Sequence, residues 1–157
     1  MKIAIISDTH GKQLSLRNIL NKVKDVDRIF HLGDFVKDAA YIQNTVNVPI
    51  DYVKGNCDYD SNTDYSKIIE LEGKRFFLTH GHLYDGAHNF NKMLNTAKRS
   101  NIDVFLFGHT HIPKIEHIED KLFINPGSPS QPRGGYRPTI AIIELVNQNI
   151  TPWIVNV

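Results

Sequence analysis

The sequence predicts an α/β protein in which two β-sheets pack face to face with helices outside them. Three observations carry that expectation. Short apolar runs alternate with helix-periodic stretches through the first half of the chain, the order that builds a parallel sheet. The second half instead pairs strand-like runs across short polar turns, as antiparallel neighbours do. The 157 residues contain no Pro/Gly-rich linker between the halves, so both groupings fit one domain, 1–157, with a core of its own.

The elements come in this order. Ile3-Ala4-Ile5-Ile6 is β-rich and apolar, and Ser7-Asp8 ends it abruptly, as at the edge of a buried strand. Leu16, Ile19, Leu20 and Val23 then recur at the spacing of one helix face. Arg28 to Leu32 is the second strand, closed by Gly33-Asp34. A helix over Asp38 to Thr45 leads to a third strand at Ile50 to Val53. This β-α-β-α-β order implies right-handed parallel crossovers. Lys67–Leu71 and Arg75–Thr79 flank Glu72-Gly73-Lys74, a hairpin signal. Phe90, Met93, Leu94 and Ala97 mark another helix face, followed by a strand at Val104 to Phe107. Lys114–Ile118 with Leu122–Asn125, and Thr139–Leu145 with Trp153–Val157, read as two further antiparallel pairs. Trp153 and the strand phenylalanines are expected in the core.

Composition narrows the function classes. Formal net charge is +1, which offers no electrostatic basis for tight nucleic-acid or anionic-membrane binding. A single cysteine cannot form an internal disulfide, so nothing points to an oxidising compartment. The first apolar stretch is too short for a signal peptide, and no run approaches the ~20 apolar residues of a membrane span. The expectation is a cytoplasmic, soluble protein.

The informative pattern lies just past each apolar run. Asp8 and His10 come after the first, Asp34 after the second and Asn56 after the third; His80 comes after Phe-Phe-Leu-Thr, and His109 and His111 after Phe-Leu-Phe-Gly. Each residue alone could be a turn former or a cap. Together they repeat oxygen and imidazole donors at one topological position, just past the carboxyl ends of strands, where α/β sheets bind ligands. Two aspartates, one asparagine and four histidines exceed what one first-row ion holds and suit two. Seven side chains make eight bonds if one aspartate bridges. Two divalent ions with two aspartates leave a cationic pocket that attracts phosphate. Lowering the pKa of a bound water from ~15.7 to ~7 makes hydroxide available at neutral pH at a cost smaller by ~12 kcal/mol. Paired ions ~3.5–4 Å apart also clamp an in-line displacement. The donor set therefore points to metal-assisted phosphoester hydrolysis.

Asp8-Thr9-His10, Gly33-Asp34, Gly55-Asn56-Cys57-Asp58, His80-Gly81-His82 and Gly108-His109-Thr110-His111 occur in this order, and in these blocks the chain resembles the calcineurin-like metallophosphoesterase superfamily. Asn125-Pro126-Gly127-Ser128 and Pro132-Arg133 extend the likeness to the small YfcE-like phosphodiesterases of bacteria and archaea. The resemblance implies a four-layer α/β/β/α sandwich of two packed mixed β-sheets. It implies one metal held by Asp8, His10, Asp34 and His111, and a second held by Asp34, Asn56, His80 and His109, with Asp34 bridging. Manganese is the first expectation for both ions, and nickel, iron, cobalt and zinc also occur in the family. The substrate implied is a small phosphodiester or a nucleotide-like compound, and small relatives often form homo-oligomers.

Cys57 departs from the family pattern, which commonly has histidine there with an acidic neighbour orienting it. A thiol is a weaker acid catalyst than imidazolium, so Cys57 is expected to line the leaving-group side without ligating metal or attacking phosphorus. Asp58 keeps the acidic position, and His82 is the first candidate for acid assistance from elsewhere or for orienting a ligand. Ser128 and Arg133 offer either phosphate contacts or a simple chain reversal. His31 is read as structural, and His88 and His117 as surface residues. Two other functions remain open on this sequence: a phosphomonoesterase of the same fold, and a non-catalytic interaction scaffold like the vacuolar-sorting subunit of retromer.

Overall fold

The computed structural model describes residues 1–59, 62–87 and 90–157; His88 lies outside them. The chain runs β1 (Lys2–Ile6), α1 (Gln13–Lys22), β2 (Arg28–His31), α2 (Val36–Val46), β3 (Ile50–Tyr52), β4 (Ser66–Leu71), β5 (Lys74–Thr79), a 3₁₀ helix (His82–Ala87), α3 (Phe90–Arg99), β6 (Val104–Leu106), β7 (Pro113–Ile118), β8 (Lys121–Pro126), β9 (Thr139–Val146) and β10 (Asn149–Asn156). Two five-stranded sheets result, ordered β10-β9-β1-β2-β3 and β4-β5-β6-β8-β7. Each has three parallel strands at its heart or edge and antiparallel partners beside them: β1, β2 and β3 in the first, β5, β6 and β8 in the second. Among the described residues no helix is long and apolar enough to cross a membrane.

Strand alternation sends every second side chain to each sheet face, and the buried residues sort into three layers accordingly. Ile3, Ile5, Phe30 and Leu32 meet Phe76, Leu78, Val104, Leu106 and Ile124 between the sheets. Ala4, Ile6 and Ile29 face outward onto Leu16, Ile19 and Val23 of the α1 segment and Ile42 of α2. Phe77, Phe105 and Phe123 face outward from the second sheet onto Met93 and Ala97 of α3. The expected α/β/β/α order is thus present. Phe105 stacks on Phe123 at a centroid separation of 5.5 Å, and each fully buried large apolar side chain contributes on the order of 2 kcal/mol.

Three details differ from the sequence expectation. β10 begins at Asn149 and takes Pro152 into the strand opposite Ile143; β10 is an outer strand, so a residue without an N–H costs it no second ladder. Trp153 is only half-buried, packed against the outer layer of the first sheet. The 3₁₀ helix after His82 carries no apolar periodicity long enough to announce it.

Parallel register brings the functional strand ends level. Ile6 pairs with His31 and His31 with Tyr52, so the loops carrying Asp8, Asp34 and Asn56 leave the first sheet side by side. In the second sheet Leu78 pairs with Leu106, which levels the loops carrying His80 and His109. His31 sits beneath the first set, fully buried. Its Nδ1 accepts the Gly33 N–H at 3.3 Å and its Nε2 lies 3.2 Å from Thr9 Oγ1. That arrangement requires the neutral ring, donating from Nε2, and burial holds its pKa down at about 4.

His31 therefore stabilises the fold fully above its unfolded pKa of ~6.5, and loses that contribution as pH falls toward 4, by about 3 kcal/mol in all. Urea unfolding of metal-free protein should show His31→Gln less stable than wild type at pH 7. The difference should shrink progressively between pH 6.5 and 4, whereas a pH-independent difference would contradict a buried neutral His31.

Candidate metal centre

The site is built at the end of the inter-sheet core from loops held in costly conformations. Asp8, His10, Asp34, His109 and His111 all adopt positive φ, between 49° and 68°. Such backbone costs a non-glycine residue ~1–3 kcal/mol, and it clusters where function requires it. Glycines let the loops close on one another. A Cβ on Gly55 would strike the Asp34 carboxylate, and one on Gly108 would come within 2.8 Å of Asp8 Oδ2.

Hydrogen bonds tie the sheets together here, two of them through histidines of the second sheet. His80, from the second sheet, donates from Nδ1 to the Leu32 carbonyl of the first at 2.9 Å. The His109 N–H donates to Asp8 Oδ2 at 3.1 Å. A third, from His111 Nδ1 to the Gln131 carbonyl at 2.7 Å, fixes that ring in the same sense. Both rings thereby turn Nε2 toward the site, as second partners do for metal-binding histidines.

The donor atoms converge in overlapping groups. Atoms of Asp8, His10 and His111 lie within 4.8 Å of one another, as do those of Asp8, Asp34 and His80, and those of His10, Asp34 and Cys57. His111 Nε2 is 3.2 Å from Asp8 Oδ1 and 3.4 Å from His10 Nε2. His80 Nε2 is 3.4 Å from Asp34 Oδ1 and 3.8 Å from Asp8 Oδ1. Bonds of ~2.1 Å at tetrahedral angles separate ligand atoms by ~3.4 Å, so these spacings suit first-row cations. The His109 ring stands edge-on to His80 at 5.2 Å. Asn56 is exposed, with its amide nitrogen directed at Cys57 Sγ, 3.5 Å away.

Electrostatics test whether cations belong here. Burial resists ionisation of Asp8, yet His111 and His80 outweigh it and hold the carboxyl below its usual range. Burial also opposes ionisation of Asp34, and His80 with the Cys57 N–H draws its pKa well below that of an ordinary carboxylate. Conversely, desolvation pushes the His80 and His111 rings down, while Asp34 and Asp8 respectively raise them above a free histidine. His10, His82 and His109 are lowered by burial, and His80 adds repulsion to each. Even so, Asp8 Oδ1 and His80 Nε2 are buried without a hydrogen-bond partner. Each such atom costs about 1–3 kcal/mol. A cation between them satisfies both, and the nitrogen and oxygen donors match a divalent first-row ion.

Several supporting residues have roles that the sequence did not indicate. Ser128 Oγ donates to the Asp8 carbonyl at 2.8 Å and accepts the Ser130 and Gln131 N–H groups. Ser130 Oγ donates to the same carbonyl at 2.9 Å. This loop therefore braces Asp8 and His111, a role beyond the phosphate contact or chain reversal considered for it. Asn125, fully buried, donates to the Gly108 carbonyl and to Thr110 Oγ1 and accepts the Gly127 N–H. A polar residue inside the apolar run of β8 was the one visible sign of that brace. Arg133 is exposed and its N–H bonds the His111 carbonyl. His117 is exposed, as expected.

The remaining sequence candidates occupy the rim and the loop after β3. Cys57 is exposed, its N–H donates to Asp34 Oδ1 at 2.9 Å, and desolvation of the sulfur beside the Asp34 carboxylate pushes the thiol up to about 11. Asp58 commits its carboxylate to the backbone: Oδ1 accepts from Phe35 and Val36 N–H, and Oδ2 from Gly55 N–H, at 2.8–2.9 Å. It thereby caps the start of α2 with a negative charge and closes the Asn56 loop. His82 lies at the site's rim, its ring 5.5 Å from His80 and 6.3 Å from His109, with a buried Nδ1 lacking a partner.

Comparison with known proteins adds an independent line. The family model described as the calcineurin-like phosphoesterase superfamily domain matches residues 1–148. The phosphodiesterase YfcE of Escherichia coli K12 is 35% identical over 160 residues, covering 86% of this chain and 83% of that protein. The crystal structure of a conserved uncharacterized protein of Streptococcus pneumoniae TIGR4, a predicted phosphoesterase, superposes with a TM-score of 0.84 at 31% identity over 99% of this chain and 88% of that one. Wild-type Vps29 of Entamoeba histolytica, complexed with Zn²⁺, superposes at 0.79 over 99% and 98% of the two chains, but at 19% identity, which speaks for the fold alone.

Removing the Asp58 staple should cost stability before it costs chemistry. Asp58→Ala should lower the free energy of unfolding by about 2 kcal/mol, read as a shift in urea midpoint. Asp58→Asn, which keeps one acceptor oxygen, should fall between.

Proposed function

The chain belongs to the calcineurin-like phosphoesterase superfamily, and from that premise we propose that residues 1–157 form a single two-metal phosphodiesterase domain. Asp8, His10, Asp34 and His111 would hold one ion, and Asp34, Asn56, His80 and His109 the other, with manganese the first choice. The observation that carries this reading is the pair of buried atoms Asp8 Oδ1 and His80 Nε2, 3.8 Å apart and each without a hydrogen bond. When bound, two divalent cations supply a nucleophilic water at neutral pH and offset the charge of the phosphate.

The chain's own residues prepare that chemistry. Leu32 and Gln131 carbonyls hold the His80 and His111 rings so that each offers a lone pair inward. Asp8 and Asp34 stay ionised at neutral pH and keep the pocket's charge fixed. His82, at the rim, is the side chain placed to hand a proton to a departing oxygen, because the position beside Asn56 is a thiol. Cys57 faces the substrate without reacting, and Asp58 acts through the loop it closes. Diester preference is favoured by the likeness to a protein named as a phosphodiesterase, and the work would be that of an enzyme in the cytoplasm.

Manganese-reconstituted protein should contain two metal ions per chain by elemental analysis and should hydrolyse bis(p-nitrophenyl) phosphate. EDTA should abolish turnover, and Asp34→Ala should reduce it by at least ~100-fold. Cys57→Ala should keep its metal and stay within about 3-fold of wild type, because an unionised thiol contributes little acid catalysis. A loss as deep as that of Asn56→Ala would give Cys57 a direct part. Absence of turnover with manganese, nickel, cobalt and zinc alike would favour the scaffold reading.

A further inference from the structure

Next to the metal-binding residues lies a cavity of about 630 Å³, lined by Phe35, Val36, Lys37, Ala40, Tyr52, Cys57, Asp58 and Tyr59. Its walls come from the first turns of α2, the end of β3 and the loop after it. Cys57 joins it to the site, since the sulfur lies within 4.8 Å of the donor atoms of His10 and Asp34. Phe35 forms the other shared wall, with its ring 6.2 Å from that of His10. The volume falls in the range of small-molecule pockets, ~300–1,000 Å³.

The backbone of Phe35 is the unusual part. It sits at φ 85° and ψ 64°, a left-handed conformation that is a genuine outlier for a bulky aromatic residue. Phe35 is also 38% exposed, so burial of the ring does not offset that strain. The conformation is held by Asp58, which accepts both the Phe35 and Val36 N–H groups. On its other side the ring leans on Gly11, where an added Cβ would approach Phe35 Cε1 to 2.8 Å. Strain maintained in this way, beside a reactive centre, points to a use for the ring. Among the described residues Asp58 is the sole carboxylate of the lining, and all the bonds described for it turn inward to backbone, so these residues present aromatic and aliphatic surface with Lys37 as the cation.

We propose that this cavity is a subsite for a flat aromatic ester group of the phosphodiester substrate, either a nucleobase or an aryl ring, received against Phe35 and Tyr52 while the phosphate lies at the metal-binding residues. The proposal rests on the phosphodiesterase reading and names the substrate class that reading leaves open. Stacking and burial of one ring at such a wall favour aromatic over methyl esters by about tenfold.

The test uses manganese-loaded protein and four probes: adenosine 5′-monophosphate, phenyl phosphate, methyl phosphate and inorganic phosphate. Each is measured as a competitive inhibitor of bis(p-nitrophenyl) phosphate turnover, and by its effect on the rate at which iodoacetamide labels Cys57. At least one aromatic probe should inhibit about tenfold more tightly than methyl phosphate and should slow labelling. Tighter binding of the adenosine compound assigns the cavity to a nucleobase, and tighter binding of phenyl phosphate to an aryl group. Ala40→Trp, which fills the cavity from an exposed position of α2, should bring the aromatic-to-methyl ratio close to one. Equal inhibition by aromatic and methyl probes in wild type, or a ratio that survives Ala40→Trp, overturns the subsite while leaving the phosphodiesterase intact. Labelling that slows on raising protein concentration alone would seat a second copy of the chain there and also overturns it. Absence of any turnover to inhibit removes the phosphodiesterase reading itself.

Discussion

Two aspartates buried at the open end of an apolar core are the constraint around which this molecule is arranged. Asp8 is fully buried and Asp34 nearly so, and an isolated carboxylate in such a place costs many kcal/mol. The fold answers with every class of compensation at its disposal. Backbone N–H groups of His109 and Cys57 donate to the two carboxylates, and imidazoles close in from the second sheet. Asp8 Oδ1 and His80 Nε2 still lack a hydrogen bond, and a cation between them satisfies both. Without a cation to hold, the protein would carry unpaired polar atoms in its interior to no purpose.

The same constraint explains why so much of the surrounding backbone is unfavourable. Bringing five loops from two sheets to one point requires left-handed turns at residues whose side chains must also be donors, so glycine cannot be used there. The chain places glycine one position away instead, at Gly33, Gly55 and Gly108, where the loops touch. Strain and donor chemistry are thus divided between neighbours. Ser128, Ser130, Asn125 and Asp58 then hold the result, each by bonding backbone and none by pointing a charged group at the site.

Much of this was legible in the residue order. The strands announced themselves because buried parallel strands are continuous apolar runs, and the donors because each stands within a few residues past such a run. Register did the rest: level strand ends make level loops. What stayed hidden were features that depend on contacts between distant segments. Nothing about Ser128 in a Gly/Pro-rich loop says that its hydroxyl reaches Asp8, 120 residues away. Asp58 read as a partner for a missing histidine because its sequence neighbour suggested it, whereas space offered it three N–H groups. The last strand was expected only from Trp153, and it begins at Asn149 and includes Pro152, which an outermost strand tolerates.

The strand order also dictates when the site comes into being. β1 lies between β2 and β9, and the Asp8 carbonyl is clasped by hydroxyls from residues 128 and 130. On the ribosome, β1 to β3 and their two helices emerge before β9, and β1 keeps one edge bare until residues 139–146 arrive to pair with it. Long-range pairings of this kind close late, after their loop entropy is met. The charged pocket is consequently completed only after β9 has emerged, when the aspartates leave water and a cation can enter in the same step.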